Sequence, residues 1–333
     1  MKDTTTSEDD SNLLVIIVDT NPFVWSAAPL PLNDALCQIL LFINAHLSLK
    51  HDNKLAVIAS HVGVSKFLYP ITDDSEIKSI AKESRGTKDA NVYPNFKIVN
   101  DQVTAGLKKL FKDVDTPQAY QDKARYETDR KGSSHNFPLS AGTSMISGSL
   151  SMALCYINRI TKSDDLGRIK PRILAISVSP DSAFQYIPIM NCIFSAQKSS
   201  IPVDVCKVFG EDTVFLQQAA HITSGIYLKV EDPQSLLQYL MFTFLPDRYS
   251  RNYLCLPGQD QVDFRAACFC HKRIIDIGYV CSVCLSIFCD FSPVCSTCKT
   301  KFPIPGKTVG MIRSRSNVGT PKPVSASTPT SMS

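Results

Sequence analysis

The run LLVIIV (Leu13–Val18), followed at once by Asp19-Thr20-Asn21-Pro22, decides how the rest of the chain is read. Six apolar residues in a row, four of them β-branched, leave no polar side to face water. The segment therefore reads as a strand covered on both faces and stopped by a turn, which is the kind of strand found in parallel sheets. The sequence downstream supplies the covering helices. Leu36, Ile39, Leu40, Ile43 and Leu47 step at helical spacing through 32–49, with Asn33 or Asp34 as the start signal. Leu41 and Phe42 fall on other faces of that helix, which predicts burial nearly all round.

Further along, KLAVIAS (Lys54–Ser60) and GVSKFLY (Gly63–Tyr69) read as neighbouring strands, and a short helix is expected over Asp101–Val114. Ile146, Leu150, Ala153, Ile157 and Ile160 mark a helix within Thr143–Ile160. Strand and helix then alternate: RILAIS (Arg172–Ser177), a helix around Ile187–Gln197 with Pro188 in its first turn, and VDVCKVF (Val203–Phe209). The helix Thr213–Ile222, the strand Ile226–Val230 and the helix Gln234–Phe244 follow. This alternation predicts an α/β domain over 12–246, with a mostly parallel sheet and helices on both faces. Residues 1–11 read as a loose acidic tail, and the polar stretches 72–90 and 115–138 as surface excursions.

Composition narrows the functional classes. The 333 residues are 44% apolar and 20% charged, enough for a sizeable core. A net charge of +4 (35 basic against 31 acidic residues) does not argue for nucleic-acid binding. No uninterrupted apolar run reaches the ~18 residues a membrane span needs. The opening MKDTTTSEDD lacks an apolar export segment, so a reducing compartment is expected. No GxGxxG follows the first strand and no GxxxxGK[ST] occurs, so no nucleotide cofactor is expected. The histidines His46, His51, His61, His135, His221 and His271 assemble into no nucleophile and base set. No enzyme and no small-molecule substrate are expected.

Seven of the twelve cysteines crowd between Cys268 and Cys298. Cys281-Ser-Val-Cys284 and Cys295-Ser-Thr-Cys298 are two CxxC knuckles ten residues apart, and four thiolates in this pattern suit a closed tetrahedral zinc site with a structural role. A small zinc module over 247–302, with its finger at 281–298, is therefore expected. Cys268, Cys270, His271 and Cys289 offer ligands for a second metal, or one of them could replace a knuckle cysteine. The simpler reading packs them around the first site with His271 at the surface. Cys37, Cys155, Cys192, Cys206 and Cys255 stand in apolar contexts and read as buried. Residues 303–333, basic and rich in Ser, Thr and Pro, read as a disordered tail.

The strand-end Asp19 with Asn21 and Phe23 resembles the DxSxS opening of a von Willebrand A metal site, and Thr143 sits where such a site places its threonine. The two serines are replaced and the later Thr-Asp-Gly reads Ser177-Val178-Ser179, so no magnesium is expected at Asp19. Asp19 then serves as a turn residue.

The strings FQYIPIMNCIFSA (Phe184–Ala196), VFLQQA (Val214–Ala219) and GYVCSVCL (Gly278–Leu285) resemble the smaller of the two von Willebrand A-type subunits of the transcription and DNA-repair factor TFIIH. The likeness covers about 12–302. It implies a von Willebrand A-like, Rossmann-type fold plus a four-cysteine zinc finger at Cys281, Cys284, Cys295 and Cys298. It also implies a nuclear, non-catalytic subunit of the TFIIH core, acting in RNA polymerase II transcription and nucleotide excision repair and docking the larger, RING-bearing subunit. The other TFIIH core subunits are expected partners, with DNA contact indirect or weak and no membrane partner. The competing readings are a metal-dependent ligand-binding von Willebrand A protein and a nucleic-acid-binding zinc protein. Phe23 and Trp25, in the loop after the first strand, are candidate partner contacts, with ordinary packing against the sheet edge the favoured reading for Trp25.

Overall fold

The computed structural model describes residues 10–71, 93–114, 143–164, 168–182, 185–257, 262, 264–266, 268–271, 275–284 and 286–302. The expected tails at 1–11 and 303–333 and the excursions at 72–90 and 115–138 lie almost wholly outside them.

The LLVIIV run lies within β1 (Ser11–Asp19), and from Leu13 to Asp19 every residue is buried. Its neighbours are β2 (Lys54–His61) on one side and β4 (Ile169–Ser177) on the other, both parallel to it. β3 (Val64–Tyr69) runs antiparallel beyond β2, while β5 (Val203–Lys207) and β6 (Tyr227–Lys229) continue parallel beyond β4. The strand order is β3-β2-β1-β4-β5-β6, so the order reverses between β1 and β4. In open α/β sheets that reversal opens a crevice at the carboxyl ends of the strands.

Successive residues of β1 serve opposite cores. Leu14, Ile16 and Val18 pack with α1 (Leu32–Leu49), α2 (Pro94–Val114) and α6 (Leu236–Tyr239), which runs into a π-helical turn at Leu240–Phe244. Leu13, Val15 and Ile17 pack on the other side with α3 (Ile146–Lys162), α4 (Tyr186–Lys198) and α5 (Val214–Ile222). The result is the three-layer arrangement that the unbroken apolar run implied.

Several local expectations change. α2 begins at Pro94, a proline in the first helical turn, and α3 begins at Ile146 because Ser144 instead bridges to Val62 at the end of the sheet. α1 is long and apolar enough to cross a membrane by length and composition alone, but Ala35, Ile39, Phe42 and Ile43 bury its inner face in the core. Leu41 and Leu49 are exposed on the outer face, so the helix is not buried all round. Of the scattered cysteines only Cys206 is buried; Cys192 is half-buried, and Cys37, Cys155 and Cys255 are exposed. An apolar neighbourhood in sequence does not choose a helix face: Leu150, Ala153 and Ile157 turn inward and carry Cys155 outward.

Two positions carry testable constraints. A Cβ on Gly225, where α5 turns into β6, would lie 2.1 Å from the Val203 carbonyl oxygen and 2.6 Å from its carbon. Backbone cannot swing aside as a side chain does, so Gly225→Ala is expected to lower unfolding free energy by about 2 to 3 kcal/mol, read from urea unfolding. His46 is buried on α1, and burial, helped by the charge of Arg172, pulls its pKa from 6.5 to about 3 against the contact of Nε2 with the Lys54 carbonyl. Its folded pKa is depressed, so its stabilising term is whole above pH 6.5 and is lost as pH falls from there towards about 3. Relative to wild type, His46→Leu should flatten the pH dependence of stability in that window by up to about 1.4 kcal/mol per pH unit. Identical slopes for the two proteins would remove His46 from the acid response.

Candidate functional site

The crevice predicted by the strand reversal is present, but its walls are bonded to one another. Asp19 accepts from the Asn21 amide with Oδ1 (3.2 Å) and from the Val178 and Ser179 amides with Oδ2 (3.2 and 2.8 Å). Asn21 donates from Nδ2 to Ser179 Oγ (3.0 Å) and accepts from the Phe23 amide with Oδ1 (3.1 Å). Phe23 offers no oxygen. The positions that resemble a DxSxS metal site thus do not fit a divalent cation: the carboxylate and the amide both tie the β1 loop to the β4 loop. Asp19 is the turn residue expected, with a reach of 160 residues along the chain.

A cation does stand at this crevice. Lys207, at the end of β5, is wholly buried and donates to the carbonyls of Val178 (3.0 Å) and Ser179 (2.7 Å). Burial brings its ammonium down to about 8, while Asp19, Asp181 and Asp212 oppose that shift. The sequence reading missed Lys207 because a lysine at a strand end is ordinarily solvated. Burial also lifts Asp181 to about 6, against the Phe215 amide that donates to it at 3.1 Å. The cleft, about 300 Å³ including open solvent, is lined by Asp19, Ser144, Ser179, Asp181 and Thr213 among others. The hydroxyl at the expected threonine position comes from Ser144, one residue after Thr143, and its Oγ lies 2.7 Å from Ser60 Oγ.

Trp25 is buried, with its ring edge-on to Phe209 and its indole N–H donating to the Asp19 carbonyl at 2.8 Å. It is a packing residue, which withdraws it as a partner contact. Phe23, beside it, is 65% exposed.

The second site is the cysteine-rich region. β7 (Tyr279–Val280) and β8 (Ile287–Phe288) form a short antiparallel hairpin whose turn carries Cys281 and Cys284. Cys295 and Cys298 come from the next knuckle, which is closed by the Lys299 amide donating to the Cys295 carbonyl (2.9 Å) and the Cys295 amide donating to Thr300 (2.9 Å). All four sulfurs lie within 4.8 Å of one another, with Cys281 to Cys298 at 3.7 Å and Cys284 to Cys295 at 3.6 Å. A disulfide would bring two sulfurs to about 2.05 Å. A tetrahedron with metal–sulfur bonds of about 2.3 Å has edges of about 3.8 Å, close to these separations. Hydroxyls support the thiolate form at two of the four: Ser286 lies 3.1 Å from Cys284 and holds it down to about 6, and Thr300, 3.1 Å from Cys298, lowers that thiol. The donor set fits a metal ion such as zinc.

Of Cys268, Cys270, His271 and Cys289, Cys270 packs against the small core of this site. The ligand atoms of the four nonetheless converge as a group of their own, all within 4.8 Å of one another. Phe269, between them, enters both the core beneath α4 and α5 and the small core of the hairpin, with its ring 6.3 Å from Tyr186 and 6.3 Å from Phe288.

The family model described as Transcription factor Tfb4 matches residues 11–299, which takes in the sheet and both cysteine groups. The chain belongs to the Tfb4 family. Among its relatives, the Schizosaccharomyces pombe protein described as general transcription and DNA repair factor IIH subunit tfb4 is 45% identical over 301 residues, covering 90% of this chain and 91% of the relative. The Arabidopsis thaliana TFB4 subunit is 40% identical over 294 residues, covering 88% and 90%. A crystal structure described as the TFIIH p34 N-terminal domain is 34% identical, with a TM-score of 0.53, and covers 70% of this chain and 98% of that one. The sheet is the mostly parallel one, with helices on both faces, that the strand and helix alternation predicts. Its two cysteine-rich groups could each hold a metal ion.

Proposed function

We propose that this chain is a non-catalytic structural subunit of the TFIIH core, acting in the nucleus in RNA polymerase II transcription and nucleotide excision repair. The observation that carries the reading is a Tfb4 match running from the first strand through the cysteine knuckles. The crevice supports it, because Asp19, Asn21 and Lys207 are spent on holding the β1 and β4 loops together. In this reading the von Willebrand A-like domain, 12–246, docks the larger RING-bearing subunit. The module at 247–302 holds a structural zinc on Cys281, Cys284, Cys295 and Cys298. Zinc would supply four-point closure to a segment with too small an apolar core to fold unaided.

The test is recovery of partners on a tagged full-length chain from nuclear extract. The expected result is the TFIIH core subunits, with the RING-bearing subunit still bound after a high-salt wash. A chain that leaves the extract with none of them would overturn the assignment. Binding to duplex DNA by the isolated chain that falls steeply with salt would instead favour the nucleic-acid reading.

A further inference from the structure

We propose that Cys268, Cys270, His271 and Cys289 bind a second zinc ion, interleaved with the first, and that this ion fastens the zinc module to the sheet domain. The inference extends the zinc reading of the knuckles to a separate ligand set. Cys270 Sγ lies 3.3 Å from Cys289 Sγ, and His271 Nδ1 lies 3.1 Å from the same sulfur. The buried Cys268 completes a group of four donors, all within 4.8 Å. Three thiolates and one imidazole are a structural zinc set. The Cys270–Cys289 separation is about 0.5 Å under the roughly 3.8 Å sulfur–sulfur edge of such a tetrahedron, and a modest opening would admit the ion.

The order of ligands along the chain strengthens the assignment. Cys268, Cys270 and His271 come first, then Cys281 and Cys284 of the other site, then Cys289, then Cys295 and Cys298. The two sets therefore alternate, and the β7–β8 hairpin links them: Cys281 and Cys284 lie in its turn, while Cys289 follows directly on β8. The Phe269 amide donates to the Ile287 carbonyl at 2.7 Å, laying the Cys268–His271 segment along that strand. Packing alone explains neither three sulfurs nor an imidazole nitrogen converging on one point beside a half-exposed hairpin. Thiols deprotonate on binding, so the ion displaces protons and no redox step is required.

The placement of Phe269 between two of these ligands assigns the ion a task. A metal on Cys268 and Cys270 holds in place a side chain that enters both the sheet core and the module core.

The experiment is metal counting on the full chain, purified reduced, by native mass spectrometry, followed by cobalt(II) substitution. Two zinc ions per chain are expected in the wild type and one in Cys289→Ser. The Cys281→Ser/Cys298→Ser chain should keep one. Cobalt in the wild type should show an all-sulfur component and a separate sulfur-and-imidazole component. His271→Cys should retain two ions while losing the imidazole component, a readout that survives if Cys289→Ser fails to fold. One zinc in the wild type, with an all-sulfur cobalt spectrum only, overturns the second site and leaves the first intact. A Cys270–Cys289 disulfide, seen as a mass lower by two hydrogens without reductant present, also overturns it. A chain with no zinc at either group would overturn both.

Discussion

Replacing Cys281 and Cys298 together by serine is expected to remove the zinc proposed at the knuckles and melt the 281–286 turn and residues 291–302, while Cys289 stays with the second ligand group and β1 to β6 stay folded. The small core there consists of Phe288 and the cysteines themselves, with Phe269 and Phe302 at its edge. The hairpin contributes only two residue pairs. A two-stranded ribbon of that length is not stable alone in water. On the proposed zinc reading its fold rests on the metal, and replacing two of the four ligands should lower amide protection in the module on the order of a hundredfold. The sheet domain has its own two cores, so its exchange should not change. Hydrogen exchange with a parallel zinc count makes the measurement. If the double variant holds the same number of zinc ions with unaltered protection, the ligand assignment is wrong.

The second large effect is expected at Asp204, which lies fully buried on β5. Its carboxylate receives a two-pronged contact from Arg251, Nη1 to Oδ1 at 2.9 Å and Nη2 to Oδ2 at 2.6 Å, and Oδ1 also accepts from the Ile226 amide at 2.9 Å. Arg172 lies buried nearby, spending its guanidinium on the carbonyls of Phe244 (2.6 Å), Leu245 (3.1 Å) and Pro246 (3.0 Å). Burial, then the charge of Arg251, lowers Arg172 to about 10. Asp204 is thus the anion between two guanidinium groups at the point where the chain leaves the sheet. Asp204→Asn keeps shape and one acceptor but removes the charge, and it should cost about 3 to 5 kcal/mol in urea unfolding, as loss of one partner of a buried pair does. Arg251→Met added to it should recover part of that loss, because the guanidinium left without its counter-charge is then removed. A cost below about 1 kcal/mol for the single change would show that solvent reaches the pair and screens it.

Legibility in the sequence followed range. Leu13–Val18 named its own state because burial on both faces leaves a pattern in six consecutive residues. The two CxxC knuckles were equally plain, since each pair of ligands lies within one tight turn. Helix faces were less legible: Cys37 and Cys155 looked buried from their neighbours and are exposed on the outer faces of α1 and α3. Trp25 could be read as packing or as a partner contact, and only its bond to the Asp19 carbonyl decides for packing.

Local pattern thus determined the strand and helix alternation, the family strings and the grouping of the four knuckle cysteines, because each depends on residues a few positions apart. Tertiary structure alone decided that Asp19 would be occupied by the Val178 and Ser179 amides and that Lys207 would be buried against their carbonyls. It also decided that Cys289 would meet Cys270 and His271 across a hairpin. The physical reason is the same in each case: a carboxylate, an ammonium or a thiol satisfies itself with the nearest complementary group, and strand order rather than sequence separation sets which group is near.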